Sequence, residues 1–343
     1  MNFDYYLHKS KTEIEKEAVK NLSFWAKQAG IINPKLSQFI KLFIGSLKRG
    51  KYLRGVLVKL GYELTKAPKN GSILQAAAAY ETLHSSLLAH DDIIDRSILR
   101  RGRKSLYQSL GGNHYGISQA ICLGDFGIFL AIELLNSSNF HTSRKNKAID
   151  LFNLTCINTA FGQMLDIELP RQKNPREKDV IGIYNLKTAK YSIIGPLLVG
   201  AILGGASESF LKNLELFGKN LGIAYQIKDD ILGVFGDEKT LGKSVTSDIE
   251  EGKNTLLLTY ALQNANQKQR DFIKKNYGKG KISPKNFLET RQIFTRCGAL
   301  EYAENKALAY TTNAKKIIPA ITKNRLNQLL LNGLSDFLIN RSR

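Results

Sequence analysis

Apolar residues recur along this chain at intervals of three and four, and strand-like alternation is nearly absent. Residues 72–94, SILQAAAAYETLHSSLLAHDDII, hold neither Gly nor Pro and are rich in Ala and Leu. That pattern predicts one long, largely buried helix. Similar periodicity predicts helices over 11–29, 35–46, 51–66, 117–136, 144–168, 178–189, 207–235, 254–264, 267–276, 284–296, 299–315 and 324–340. Breaks fall where Gly and Pro gather: Gly111 to Asn113, Pro170 to Pro175, Gly204-Gly205, Gly236 to Lys243 and Gly278 to Pro284. None resembles a long flexible linker, and there is no short-period repeat. An all-α fold in one domain over residues 1–343 is the economical reading.

Composition changes this picture little. At 43% hydrophobic and 23% charged the chain is ordinary for a globular protein, which argues against disorder. No stretch approaches the roughly 18–20 uninterrupted apolar residues of a membrane span. The N-terminus, MNFDYYLHKSKTEIEKE, is acidic in part and lacks the apolar core of a signal peptide. Cys122, Cys156 and Cys297 are widely spaced among apolar neighbours. They read as buried thiols in a reducing compartment, the cytoplasm, rather than as a disulfide or zinc set. Charge is less ordinary: 50 Lys and Arg against 30 Asp and Glu give +20. Nucleic acid, an anionic membrane surface or polyanionic small substrates would each suit such a chain. So would lysines on solvated helix faces, as in NQKQRDFIKKNYGKGK.

Chemistry enters at His90-Asp91-Asp92-Ile93-Ile94-Asp95, followed by Arg100-Arg101-Gly102. On a helix Asp91 and Asp95 share a face one turn apart, and Asp92 lies about 100° around from Asp91. Carboxylates gathered at the end of an apolar helix repel one another and are costly to desolvate. A hard cation relieves both penalties, and magnesium, which combines one or two carboxylates with waters and phosphates, fits best. The plainer alternative is a solvated acidic helix end with two arginines as salt-bridge partners. A second apolar run, GKNLGIAYQIKDDILGVF, also ends in adjacent aspartates, Asp229 and Asp230. Two such ends suggest carboxylates facing a shared cavity. Each is followed by cations suited to phosphate, Arg100 and Arg101 after the first, Lys243 and Lys253 after the second. Acid, metal and phosphate together explain these stretches better than paired carboxylates for glycoside hydrolysis. Lys51 and Arg54, in GKYLR, read as one face of a helix start that favours anions. Lys187-Thr188 lies in a mixed helical segment, and taken singly each of these lysines reads as a surface residue.

In order, the stations are Gly50-Lys51 with Arg54, His84 through Gly102, Gly162-Gln163 with Asp166, Lys187-Thr188, Tyr225 through Asp230, Gly242-Lys243 with Asp248, and Glu251-Gly252-Lys253. That series, over about residues 45–260, resembles the trans-isoprenyl diphosphate synthase (polyprenyl synthetase) family. The resemblance implies antiparallel helices around a deep central cavity, in a homodimer. It implies a magnesium-dependent prenyltransferase that condenses an allylic diphosphate with isopentenyl diphosphate. Asp91 and Asp95 would hold two Mg²⁺ on the allylic diphosphate and Asp229 a third. Arg100, Lys187 and Lys243 would bind the same diphosphate, with Lys253 an accessory contact. Lys51, Arg54, His84 and Arg101 would form the isopentenyl diphosphate site. Thr188 and Gln226 would lie near C1 of the allylic chain, where their dipoles stabilise developing positive charge. One station departs from the pattern. The second motif reads Asp229-Asp230-Ile231-Leu232-Gly233, with Gly where the final Asp belongs, and Asp237 is the nearby substitute.

Product length, on this resemblance, is set four and five residues before Asp91, at Leu87 and Ser86. Neither is a bulky aromatic, so the first turn below the metals is open, with Ala79, Tyr80 and Phe129 as later stops. Geranylgeranyl diphosphate is the expected product, with farnesyl or longer chains and a non-catalytic partner subunit as alternatives. A class I terpene cyclase would need an Asn/Asp-Asp-x-x-Ser/Thr-x-x-x-Glu second motif, which the Asp229 region lacks. Nucleic acid is not expected as a partner, because charge alone suggests it. Peripheral contact with a membrane surface is compatible with a lipid product.

Overall fold

A computed structural model describes residues 2–48, 50–172, 175–238 and 244–340. Its secondary structure is helical apart from a hairpin of two-residue strands, β1 (Leu99–Arg100) and β2 (Arg103–Lys104). The chain therefore has the all-α class that its periodicity predicts. It divides into two compact units, residues 1–153 with 195–212, and residues 154–194 with 213–343.

In the first unit, α1 (Phe3–Ile32) buries Tyr6, Ser10, Ile14, Ala18, Leu22 and Ala26, a stripe spaced by four. Asn33 ends α1 with its backbone N–H on Ala29 and starts α2 (Pro34–Leu47) with its side chain on the Lys35 N–H, ahead of Pro34 at the first helical position. The two helices are thus joined by a single residue. α3 (Leu53–Leu64) and α4 (Ser72–Ile94) follow. α4 matches the predicted 72–94 and is buried over much of its circumference, with Ala76, Ala77, Ala78, Ala79 and Tyr80 inaccessible. It packs chiefly on α6 (His114–Asn136), then on α3 and α1. Between them lies the short α5 (Leu106–Ser109).

α7 (Thr142–Glu168) is followed by α8 (Glu177–Ile183), a π-helical stretch Tyr184–Ile194 and α9 (Gly195–Leu203). The sequence reading ends a helix at 189; the chain stays helical to Leu203, carrying Gly195 and Pro196 inside the buried run. In the second unit the C-terminal part of α10 (Glu208–Phe235) carries the second aspartate motif. Helix Ala299–Ile321 packs on Arg325–Asn340 and on Leu256–Asn264. α6 and the run Glu177–Leu203 are long and apolar enough by composition to cross a membrane; the second is mostly buried inside the protein. The cysteine expectation needs one correction: Cys122 is exposed on α6, while Cys156 and Cys297 are part-buried and burial raises both thiols.

Candidate active site

In the first unit α4 delivers its aspartates at its C-terminus. Asp95 caps the helix, its N–H 2.8 Å from the Asp91 carbonyl. Asp91 and Asp95 are both part-accessible, but Asp92 is buried. Arg100 Nε donates to Asp92 Oδ1 at 2.6 Å, a second guanidinium nitrogen also meets that carboxylate, and Arg100 lies 3.7 Å from Asp91. Burial, more than Arg100 offsets, pushes Asp92 up to about 6. For Arg100 the balance runs the other way: burial works against its charge, and Asp92, Asp91 and Asp95 together hold its pKa raised. The aspartates thus differ. Asp92 holds Arg100, and Asp91 and Asp95 stand beside that pair on the same helix end.

Arg100 sits on β1, and Arg101-Gly102 form the two-residue turn of the hairpin, with φ of 54° and 72°. Both central residues of such a primed turn need positive φ, which Gly102 accepts freely and Arg101 does not. Arg101 is held there with Nη1 donating to the Ser46 carbonyl at 3.0 Å. Lys51 is exposed and precedes α3, and Tyr52, with φ 58°, turns the chain into it. Lys51 and Arg54 therefore do not share a helical face, as their spacing predicts; the left-handed residue between them breaks that geometry. Arg54, Arg100 and Arg101 all act on His84. Burial first, then these guanidiniums, push its pKa well below the ordinary histidine range, so the imidazole is neutral near pH 7.

The counter-charge to this cluster is Glu81, which sequence reading passed over. It is buried on α4 and accepts from the Gly55 N–H at 2.8 Å. Burial raises its pKa, opposed by that hydrogen bond and by Arg54 and Arg101. The signal for it is a lone acid inside AAAAYETLH, three residues before His84.

In the second unit, a chain of hydrogen bonds runs from the π-helix to α10. Thr188 Oγ1 donates to Gln226 Oε1 at 2.6 Å, and Gln226 Nε2 donates to Asp230 Oδ1 at 2.7 Å. The Tyr184 hydroxyl donates to the other Asp230 oxygen and accepts from the Leu256 N–H at 3.2 Å. Burial first, then repulsion from Asp248, pushes Asp230 up to about 8. Lys187 Nζ lies 2.7 Å from Asp166. A Cβ at Gly162, one turn before Asp166, would meet the Lys187 backbone nitrogen at 2.5 Å, so only glycine admits this approach. Lys253 bridges Asp248 at 3.3 Å and Glu251 at 3.0 Å. Asp229 is part-buried beside Asp230.

The missing aspartate at Gly233 has a steric explanation. A Cβ there would collide with the Asp248 carboxylate, which occupies that space, whereas Asp237 is exposed. The carboxylate beside position 233 is thus Asp248, from the GKxxxxD station. Lys243 lies outside the described residues.

At the product-length positions Ser86 is inaccessible: its Oγ donates to the Thr82 carbonyl at 3.0 Å, and a Cβ at Gly127 of α6 would collide with it. Leu87 is part-accessible. Two turns below it, Tyr80 is inaccessible and packs edge-on against Phe152, ring centroids 5.0 Å apart. Phe129, a suggested stop, is 71% exposed and lies outside this interior.

The donor groups at both aspartate ends are oxygen-only, as a hard cation requires. Among the described residues no three His, Cys, Asp or Glu side chains converge as a cage.

A polyprenyl synthetase family model matches residues 35–293. The chain is 32% identical over 295 residues to the geranylgeranyl diphosphate synthase of Sulfolobus acidocaldarius, covering 85% of this chain and 87% of that one. It is 33% identical over 272 residues to the geranylfarnesyl diphosphate synthase of Aeropyrum pernix, covering 77% and 81%. The crystal structure of geranylgeranyl pyrophosphate synthase from Corynebacterium glutamicum, complexed with isoprenyl diphosphate and magnesium, matches it with a TM-score of 0.93 at 26% identity, over 99% of this chain and all of that one.

Proposed function

The chain belongs to the polyprenyl synthetase family, and from that premise we propose that it is a magnesium-dependent cytoplasmic prenyltransferase making geranylgeranyl diphosphate. Prenyl chain elongation is the reaction of the family. The observation that carries the reading is the cluster of Arg54, His84, Arg100 and Arg101 built beside Asp91 and Asp95. A cation site and a strongly basic anion site in one place suit an enzyme that takes two diphosphates. A terpene cyclase, which takes one, has no use for the second.

Asp91, Asp95 and Asp229 would hold three magnesium ions, which would supply positive charge to the leaving diphosphate. Arg100, fixed by Asp92, binds that diphosphate, as do Lys187, Lys243 and, as an accessory, Lys253. Lys51, Arg54, Arg101 and the neutral His84 orient isopentenyl diphosphate, His84 adding a hydrogen bond without further positive charge. The Thr188 and Gln226 protons point toward Asp230, so the Thr188 oxygen turns its lone pairs the other way. An acceptor so oriented stabilises positive charge at C1 of the allylic chain. Its C–O bond breaks, the isopentenyl double bond attacks C1, and the departing diphosphate takes the proton. No side-chain base is needed.

For product length, Leu87 is the better of the two candidates, because Ser86 is enclosed against α6. A tail passing Leu87 meets the Tyr80–Phe152 pair two turns below, which supports a twenty-carbon product over longer ones. The family match draws on both compact units, which supports reading 1–343 as a single domain. A homodimer is supported by α6, where Tyr115, Cys122 and Phe129, seven residues apart, are exposed along one face.

The test is to incubate purified protein with Mg²⁺, isopentenyl diphosphate and C5, C10 or C15 allylic diphosphates, and to size the products. A C20 product is expected from each starter. Products ending elsewhere would overturn the length assignment, and no elongation from any starter would overturn the function.

A further inference from the structure

Between Glu17 and Glu63 the chain has no acidic residue and nine basic ones, so this stretch supplies +9 of the net +20. It forms α1's C-terminal half, α2 and α3 as far as Tyr62. At the α1–α2 turn, apolar side chains stand in water. Ile31 and Ile32 are 76% and 81% exposed, and Phe24, Trp25 and Leu36 are exposed with them. Phe24 and Ile31, like Trp25 and Ile32, are seven residues apart and thus on one side of the helix. None belongs to the buried stripe that packs α1 into its unit. Lys27, Lys35 and Lys41 are exposed around them, and Lys27 and Lys41 line a cleft of about 370 Å³ between α1 and α2.

We infer that the α1–α2 turn is a docking wedge for an anionic lipid membrane, with Phe24, Trp25, Ile31, Ile32 and Leu36 entering the interface and the lysines meeting acidic headgroups. Apolar insertion and a basic patch are each weak alone and hold a protein to a bilayer together. The turn is rigid enough to insert, because Asn33 caps both helices and Pro34 fixes the second. Charge argues against a second copy of the chain as occupant, since two cation-only surfaces repel. Nucleic acid would leave the exposed isoleucines without a role. Docking would give an apolar prenyl product a short path into lipid; that use rests on the proposed reaction, but the docking itself does not.

Trp25 is the chain's sole tryptophan, so its fluorescence reports the wedge directly. The probe is a set of vesicles of phosphatidylcholine alone or of phosphatidylcholine mixed with anionic phosphatidylglycerol, added without substrates. A blue shift and co-sedimentation are expected with the anionic vesicles, reversed by high salt and absent with the neutral ones. Ile31→Ser/Ile32→Ser should abolish both, and Lys27→Gln or Lys35→Gln should weaken binding about fivefold each. Helicity, oligomeric state and elongation of soluble substrates should be unchanged in these variants. Lack of binding to anionic vesicles, or binding that survives Ile31→Ser/Ile32→Ser, would overturn the proposal. So would a change of oligomeric state in that variant, which would make the wedge a subunit contact.

Discussion

Asp230 is buried between Tyr184 and Gln226 and faces Asp248, and its pKa of about 8 is far above an ordinary aspartate. Between the unfolded value near 3.8 and 8, the folded protein holds a proton that the unfolded chain has lost. Its contribution to stability is therefore greatest below the unfolded pKa and falls as pH rises toward 8. In metal-free buffer, Asp230→Asn should flatten the decline of stability measured by denaturant titration between about pH 5 and 8. Gly233 makes a second residue-scale test. Gly233→Asp completes the usual aspartate motif on paper, yet its side chain collides with Asp248. It should cost about 1–3 kcal/mol and lower the melting temperature, with no gain in elongation. Neither effect is visible in sequence. Asp248 lies fifteen residues beyond Gly233, and only the folded path of the chain brings its carboxylate back to α10. The same holds for Asp92, which in sequence is one of three like aspartates and in the fold is the one that binds Arg100.

At the scale of elements, periodicity marks α4, α6, α7 and α10 closely because each is long and free of proline. It fails elsewhere: α1 begins at Phe3, eight residues before the predicted 11, and three further segments differ. Lys51-Tyr52 reads as helix, but a left-handed Tyr52 delays α3 to Leu53. The Arg100-Arg101-Gly102 station hides a hairpin whose strands are too short to show alternation. The run 184–203 reads as ending early, since neither a π-helix nor a proline inside a helix follows from local preference. π-helical turns tend to occur at functional sites, and here the stretch presents Lys187 and Thr188 together. For product length, Leu87→Phe should shorten the main product by at least one isoprene unit at unchanged melting temperature, read by product sizing. Ser86→Phe should instead destabilise the protein, because α6 leaves no room at Gly127.

For the whole molecule, the charge excess gains a location: one continuous acid-free stretch, residues 18–62 of the first unit, supplies nearly half of it. If α6 forms the dimer contact, Phe129→Glu should shift the protein toward monomer in sedimentation velocity, whereas Ile31→Ser/Ile32→Ser should leave the dimer intact. The central claim is condensation of two diphosphates. Its most direct measurement is the release of inorganic diphosphate from an allylic diphosphate with Mg²⁺ present, with and without isopentenyl diphosphate. Release should require isopentenyl diphosphate, match its consumption one to one, and fall on the order of 10³-fold in Asp91→Ala. Equal release without isopentenyl diphosphate would mark a cyclase or hydrolase and contradict the account.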